Sequence, residues 1–133
     1  MKAVGWTDLM KLSATLYIVS SFSPVAQDIV STGAGQQLFN NACRTCHSIR
    51  DGDNRLGPNL HRIVGRKAGS LPDYNYSSAM RDADLVWDEA KLARFISNPD
   101  EVVPGNKMAP YGGVASAADT RKIVVFLSSL RTQ

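Results

Sequence analysis

The chain has 133 residues, 44% of them apolar, with 15 Lys and Arg against 12 Asp and Glu and a formal net charge of +3. That length holds one small domain. The basic residues are scattered one or two at a time with no run interleaved with aromatics, which excludes a nucleic-acid surface, and the only two cysteines cannot build a four-sulfur zinc site.

Residues 1–26 read as an export signal. Lys2 and Lys11 precede an apolar run over 12–22, and small residues lead to Ala26, the expected cleavage point. Eleven helical residues cover about 17 Å against a hydrocarbon core of about 30 Å, too short to span a membrane. Asp8 in the normally positive region and Pro24 three residues before the cut depart from the pattern, so an uncleaved interfacial tether is the alternative. Removing residues 1–26 from 133 leaves one domain, residues 27–133, with 13 basic and 11 acidic side chains once Lys2, Lys11 and Asp8 are gone.

The spacing of Gly35, Leu38, Phe39 and Ala42 predicts a first helix over 31–44. A glycine inside a helix costs about 1 kcal/mol against alanine, so Gly35 predicts the close approach of another backbone. Cys43-Arg44-Thr45-Cys46-His47 follows. Thiols three positions apart lie about one helical turn apart and reach the two vinyl groups on one edge of a haem. The next residue then presents an imidazole to the iron, which makes C-x-x-C-H the attachment signature of c-type haem. A structural disulfide, a dithiol redox pair and half a zinc site are the competing readings. His61 alone does not complete a two-Cys, two-His site, and a thioredoxin-like pair wants a strand and crossover unit rather than a helix running into a glycine-rich loop. Such attachment takes place outside the cytoplasmic membrane, where the two thiols would otherwise oxidise.

Residues 48–73 are punctuated by Gly52, Gly57, Pro58, Gly65, Gly69 and Pro72 and predict loop with no strand. So long a loop needs a central organiser. A short helix is expected over 77–82 and a better one over 88–97, ended by Asn98-Pro99. Residues 104–110, Pro-Gly-Asn-Lys-Met-Ala-Pro, form a tight extended loop. Ser116 with Asp119 three residues on starts the last helix, whose apolar stripe is Ile123, Phe126, Leu127 and Leu130. The two terminal helices are expected to cross at Gly35, with Phe39 on the 123–127 face.

The sixth iron position decides between carrier and catalyst. Met80 sits in a short helix where methionine usually fills gaps in a core, and His61 lies close to His47, where bonding to nearby backbone is the commoner role. Met108, in the proline- and glycine-pinned loop, is the favoured ligand.

The whole pattern resembles the class I cytochromes c, and among them the mitochondrial type and the short soluble bacterial members. The resemblance covers nearly all of residues 33–130. It rests on Gly35-x-x-x-Phe39, the haem-binding pentapeptide, Gly57-Pro58-Asn59-Leu60-His61, Gly65-Arg66-Lys67-x-Gly69, Trp87, Asn98-Pro99 and Pro104-Gly105-x-Lys107-Met108. It implies an all-α cytochrome c fold, crossed N- and C-terminal helices with loops and short helices around one haem c, held covalently through Cys43 and Cys46. His47 and Met108 are the implied axial ligands, with the Pro58 carbonyl fixing the other ring nitrogen of His47. Arg66, Tyr76 and Trp87 are implied around the propionates, whose burial needs donors.

Three departures qualify the resemblance. Phe95 stands where mitochondrial relatives have a tyrosine eight residues after the tryptophan, which removes a hydroxyl near the methionine sulfur. Asn106 replaces a threonine and keeps hydrogen-bonding ability, so its effect is expected to be smaller. Asp100 and Glu101 replace lysines, and residues 115–119 lack a lysine cluster, so a docking face built on a lysine ring is not expected and rates should depend weakly on ionic strength.

His/Met ligation suits one-electron transfer and leaves no open site for oxygen chemistry. The expected protein is a monomeric, periplasmic electron carrier and not an enzyme, with an intermembrane-space address if the source is eukaryotic. The resemblance suggests a quinol-oxidising complex as donor, an oxidase, reaction centre or dehydrogenase as the other partner, and transient encounters at the membrane surface. Two other readings are a gas- or peroxide-reactive haem with labile Met108 and an electron-transfer subunit fixed to a dehydrogenase.

Overall fold

Proline at the first position of a helix forfeits an N–H that has no intrahelical acceptor anyway, and among the described residues the first helix, α1 (Pro24–Ala42), begins with Pro24. The computed structural model describes residues 24–132. The export-signal reading of residues 1–26 therefore lies outside the described residues apart from its last three, which begin α1. The helix starts seven residues earlier than expected because neither glycine nor proline interrupts the chain between Pro24 and Gly33. It also ends two residues earlier. The N–H groups of both Cys43 and Arg44 reach the Phe39 carbonyl, at 2.8 and 3.1 Å, and the regular ladder gives way to a turn.

Four more helices follow: α2 (Ser78–Asp82), α3 (Glu89–Ser97), α4 (Pro99–Val102) and α5 (Ala117–Ser129), with a closing 3-10 turn over Leu130–Thr132. Each expected start is visible as a cap. Ser77 accepts from the Met80 N–H, Asp88 from Lys91 and Ser116 from Asp119, the bonds that satisfy otherwise orphaned N–H groups. Asn98-Pro99 ends α3 as expected, but Pro99 at once serves as the first residue of α4, a turn that the sequence reading did not include. No strand occurs among the described residues. One isolated antiparallel bridge joins Lys67 to Val86.

The core is the junction of α1, α3 and α5. Phe39, Ile123 and Leu127 are among the most deeply buried side chains, and the Phe39 and Phe126 rings sit 5.6 Å apart. Gly35 makes this crossing possible. A Cβ there would lie 2.8 Å from both the Lys122 carbonyl carbon and Phe126 Cβ, and closer still to the Lys122 oxygen. The cost of a helical glycine is offset by the approach of two helix backbones. From α3, Leu92, Phe95 and Ile96 complete the core, with Trp87 against Phe95 at 5.0 Å between ring centres. No helix among the described residues is long and apolar enough to cross a membrane.

Candidate functional site

Cys43 to Cys46 form the turn that leaves α1, closed by bonds from the Cys46 and His47 N–H groups to the Cys43 carbonyl at 3.1 and 2.9 Å. Both cysteines are free thiols, Cys46 exposed and Cys43 partly buried. Burial, and then the neighbouring Cys46, push the Cys43 thiol up to about 11. No group of three or more His, Cys, Asp or Glu gathers among the described residues.

His47 is turned inward, 7% exposed. Its Nδ1 bonds to the Pro58 carbonyl at 2.8 Å. Burial lowers the imidazole's pKa and the Pro58 bond opposes this, so the ring is neutral at pH 7. The result is an imidazole with Nδ1 as donor and Nε2 left as a lone-pair donor, the state a metal ligand needs. Gly57 cradles the ring from one side. A Cβ there would lie 2.7 Å from Nδ1 and 2.8 Å from Nε2. The cradle is tied back to the attachment turn by the Gly57 N–H bond to the Cys46 carbonyl, 2.7 Å.

Arg66, Tyr76 and Trp87 come from distant loops, and the backbone brings them together. The Gly65 N–H donates to the Trp87 carbonyl at 2.7 Å, Trp87 to Arg66 at 2.9 Å and Ala68 to Leu85 at 2.9 Å. Arg66 also donates to the Asn59 carbonyl at 2.8 Å and to the His61 carbonyl. Its half-buried guanidinium is lowered by desolvation and raised by Tyr76, to which it bonds. Burial raises the Tyr76 phenol, and Arg66 opposes the rise. The Arg66 guanidinium and the Tyr76 phenol are thus bonded to each other, and buried Trp87 is tied to Arg66 through the backbone. Asn59, 1% exposed, has a side-chain oxygen with no partner.

Met108 is half-buried in the loop between α4 and α5, packed against the core cluster. Its N–H donates to Asn106 Oδ1 at 2.9 Å. Tyr111, three residues on, donates its hydroxyl to the Ile96 carbonyl at 2.8 Å. Burial, and then the Cys43 charge, raise that phenol to about 12. Met80 packs partly buried against the core, as a gap-filler does. Among the residues expected to weaken a docking face, Asp100 accepts from Asn106 at 2.8 Å and Glu101 pairs with Arg94 at 3.2 Å.

Several contributors were not singled out from sequence. Tyr111 carried no motif, and the roles of Gly57 and Asn59 were hidden inside a matched one. Leu56, 78% exposed, sits beside Cys46 with its carbonyl held by the Tyr74 hydroxyl at 2.7 Å. Gly113, with φ +84°, approaches α3 so closely that a Cβ would lie 2.9 Å from the Ser97 carbonyl carbon.

The donor set fits a covalently held haem. Two thiols sit on one turn, a neutral imidazole offers its Nε2 lone pair, a thioether lies on a loop, and cationic and phenolic donors stand ready for carboxylates.

Comparison with known proteins agrees. Residues 31–127 match the family model described as "Cytochrome C oxidase, cbb3-type, subunit III". The chain is 40% identical over 92 residues to cytochrome c2 iso-1 of Magnetospirillum molischianum, covering 68% of this chain and 92% of that one. It is 37% identical over 97 residues to cytochrome c of Euglena viridis, covering 73% and 94%. Among solved structures, cytochrome cH from Methylobacterium extorquens superposes with a TM-score of 0.68 at 32% identity, covering 74% of this chain and 97% of that one. The chain belongs to the class I cytochromes c, electron carriers with a covalently bound haem c.

Proposed function

We propose that the protein is an exported, monomeric one-electron carrier in which His47 and Met108 are the axial ligands and no face of the iron is left for substrate. Bound haem c supplies the chemistry, exchange of one electron between Fe(II) and Fe(III). The polypeptide does the rest. The observation that carries the reading is the His47 Nδ1 bond to Pro58 at 2.8 Å, because it fixes the tautomer and leaves the Nε2 lone pair for a metal. A thioether as the other ligand raises the reduction potential and blocks exogenous ligands, the reason to assign carriage and not catalysis. Arg66, Tyr76 and Trp87 would hold the propionates, replacing the water those carboxylates lose.

Partners would meet the edge around Cys43, Cys46 and the Met108 loop, where Leu56 stands out as an apolar contact. Encounters of this kind are brief and small, so a quinol-oxidising complex as donor and an oxidase, reaction centre or dehydrogenase as the other partner are matched by potential more than by tight contact. Residues 1–26 would direct export to the periplasm and be removed.

The test is expression with the native N terminus in a bacterium that attaches haem to C-x-x-C-H. We expect a periplasmic, haem-bearing protein beginning at Gln27, reduced by a quinol-oxidising complex and reoxidised by a terminal oxidase. A haem-free chain in the cytoplasm, or a holoprotein inert toward both, would overturn the reading.

A further inference from the structure

We propose that Asn106 and Tyr111 are positioning residues for Met108, two polar latches that set the place of its thioether in a core where Phe95 brings no hydroxyl. The inference rests on Met108 being the axial ligand. A thioether is a weak acceptor on an unbranched chain with several rotatable bonds, so its position is inherited from its backbone. That backbone runs through a loop without regular structure, and it is held at both ends.

On the N-terminal side, Asn106 uses its whole amide. Oδ1 accepts from the Met108 N–H at 2.9 Å, and Nδ2 donates to Asp100 at 2.8 Å and to the Val103 carbonyl at 3.0 Å. The Asn106 N–H also donates to the Val103 carbonyl at 3.1 Å. The methionine backbone is thereby tied to α4. On the C-terminal side, Tyr111 donates to the Ile96 carbonyl at 2.8 Å, which also accepts from the Val114 N–H at 3.1 Å, so this end is tied to α3. Between the latches a cavity of about 340 Å³ is lined by Asn98, Pro99, Asp100, Asn106, Met108 and Tyr111 among others. Phe95, adjacent to Ile96 in sequence, is committed to Trp87 instead.

The experiment uses the haem-loaded full chain and four proteins: wild type, Asn106→Leu, Asn106→Thr and Tyr111→Phe. Two readouts are compared, the rate of carbon monoxide binding to the reduced form and the methionine–ferric charge-transfer band followed through a guanidinium titration beside far-UV circular dichroism. Asn106→Leu keeps the volume and removes the bonds. It should bind carbon monoxide about tenfold faster, the scale of one or two neutral hydrogen bonds lost. It should also lose the band well before the helices unfold. Tyr111→Phe should move both readouts the same way. Asn106→Thr, whose hydroxyl still accepts from an N–H two residues on, should return the rate to within about threefold of wild type. Wild-type rates in Asn106→Leu and Tyr111→Phe, with the band intact in wild type, would overturn the inference and leave the ligand assignment standing. So would a band that shifts only in step with global unfolding. A band missing from wild type itself would overturn both.

Discussion

Replacing Gly57 by alanine puts one methyl group on the ring of His47. The new Cβ would lie 2.7 Å from Nδ1 and 2.8 Å from Nε2, whereas atoms in contact sit about 3.5–4.0 Å apart. Gly57 is not in the left-handed region, so alanine meets no backbone strain and the whole effect comes from the ring. Ring or loop must retreat by about 1 Å to restore ordinary contact. The Nδ1 bond to Pro58, 2.8 Å in the native protein, is then stretched past the usual limit of about 3.2 Å. Losing it costs about 0.5–1.5 kcal/mol, and overpacking a filled site adds about 1–3 kcal/mol. Gly57→Ala is expected to lose about 1.5–4.5 kcal/mol in all, a fall in Tm of about 8–25 °C for a domain of this size. Thermal unfolding of the haem-loaded protein by far-UV circular dichroism measures it. Gly33→Ala is the control: its Cβ meets nothing within 4 Å, and helix propensity predicts a gain of about 0.5–1 kcal/mol. A Gly57→Ala protein within about 3 °C of wild type would refute the reasoning.

Gly35→Ala gains about 1 kcal/mol of helix propensity but drives a methyl into the Lys122 carbonyl; a net loss of up to about 2 kcal/mol in guanidinium unfolding is expected, and stabilisation would contradict the crossing. Leu56→Ser should lower the bimolecular rate of electron transfer about threefold or more, in line with the loss of one exposed apolar contact, with the midpoint potential unchanged. In the same stopped-flow assay the wild-type rate should fall only shallowly with added salt, because surface acids and bases are interspersed near the edge. Asp88 is held below the usual carboxylate range by the Lys91 side chain and then its backbone N–H. Its stabilisation is thus present in full above about pH 4 and lost as pH falls through the lower folded value. Asp88→Asn should lower Tm at pH 7, and the difference from wild type should shrink as pH falls below the ordinary carboxylate range.

What the sequence made legible follows from local spacing. Gly35 and Phe39, four apart on α1, found their counterparts in the Ile123 to Leu127 stripe because helical periodicity alone determines which residues share a face. The His47–Pro58 bond came from family resemblance and the geometry matches it. The pairing of 65–68 with 85–87 was not legible. It is a short backbone contact between two loops, made by N–H and carbonyl groups that every residue carries, and no side-chain alternation marks it. Tyr111 was invisible for a related reason: its acceptor is a main-chain carbonyl fifteen residues away. Asn106 was expected to matter little because it keeps the hydrogen-bonding ability of threonine, yet its second polar atom adds bonds to Asp100 and Val103 that one hydroxyl would not supply together with the Met108 bond. The acids at 100 and 101 read as bare surface charge until their partners, Asn106 and Arg94, were in view.

The central claim is that His47 and Met108 close both faces of the iron, and the near-infrared charge-transfer band of a methionine–ferric bond tests it most directly. The band should be present in the oxidised wild-type protein, persist in Met80→Leu and His61→Asn, and disappear in Met108→Ala. A band that survives loss of Met108, or that vanishes with Met80, would contradict the account.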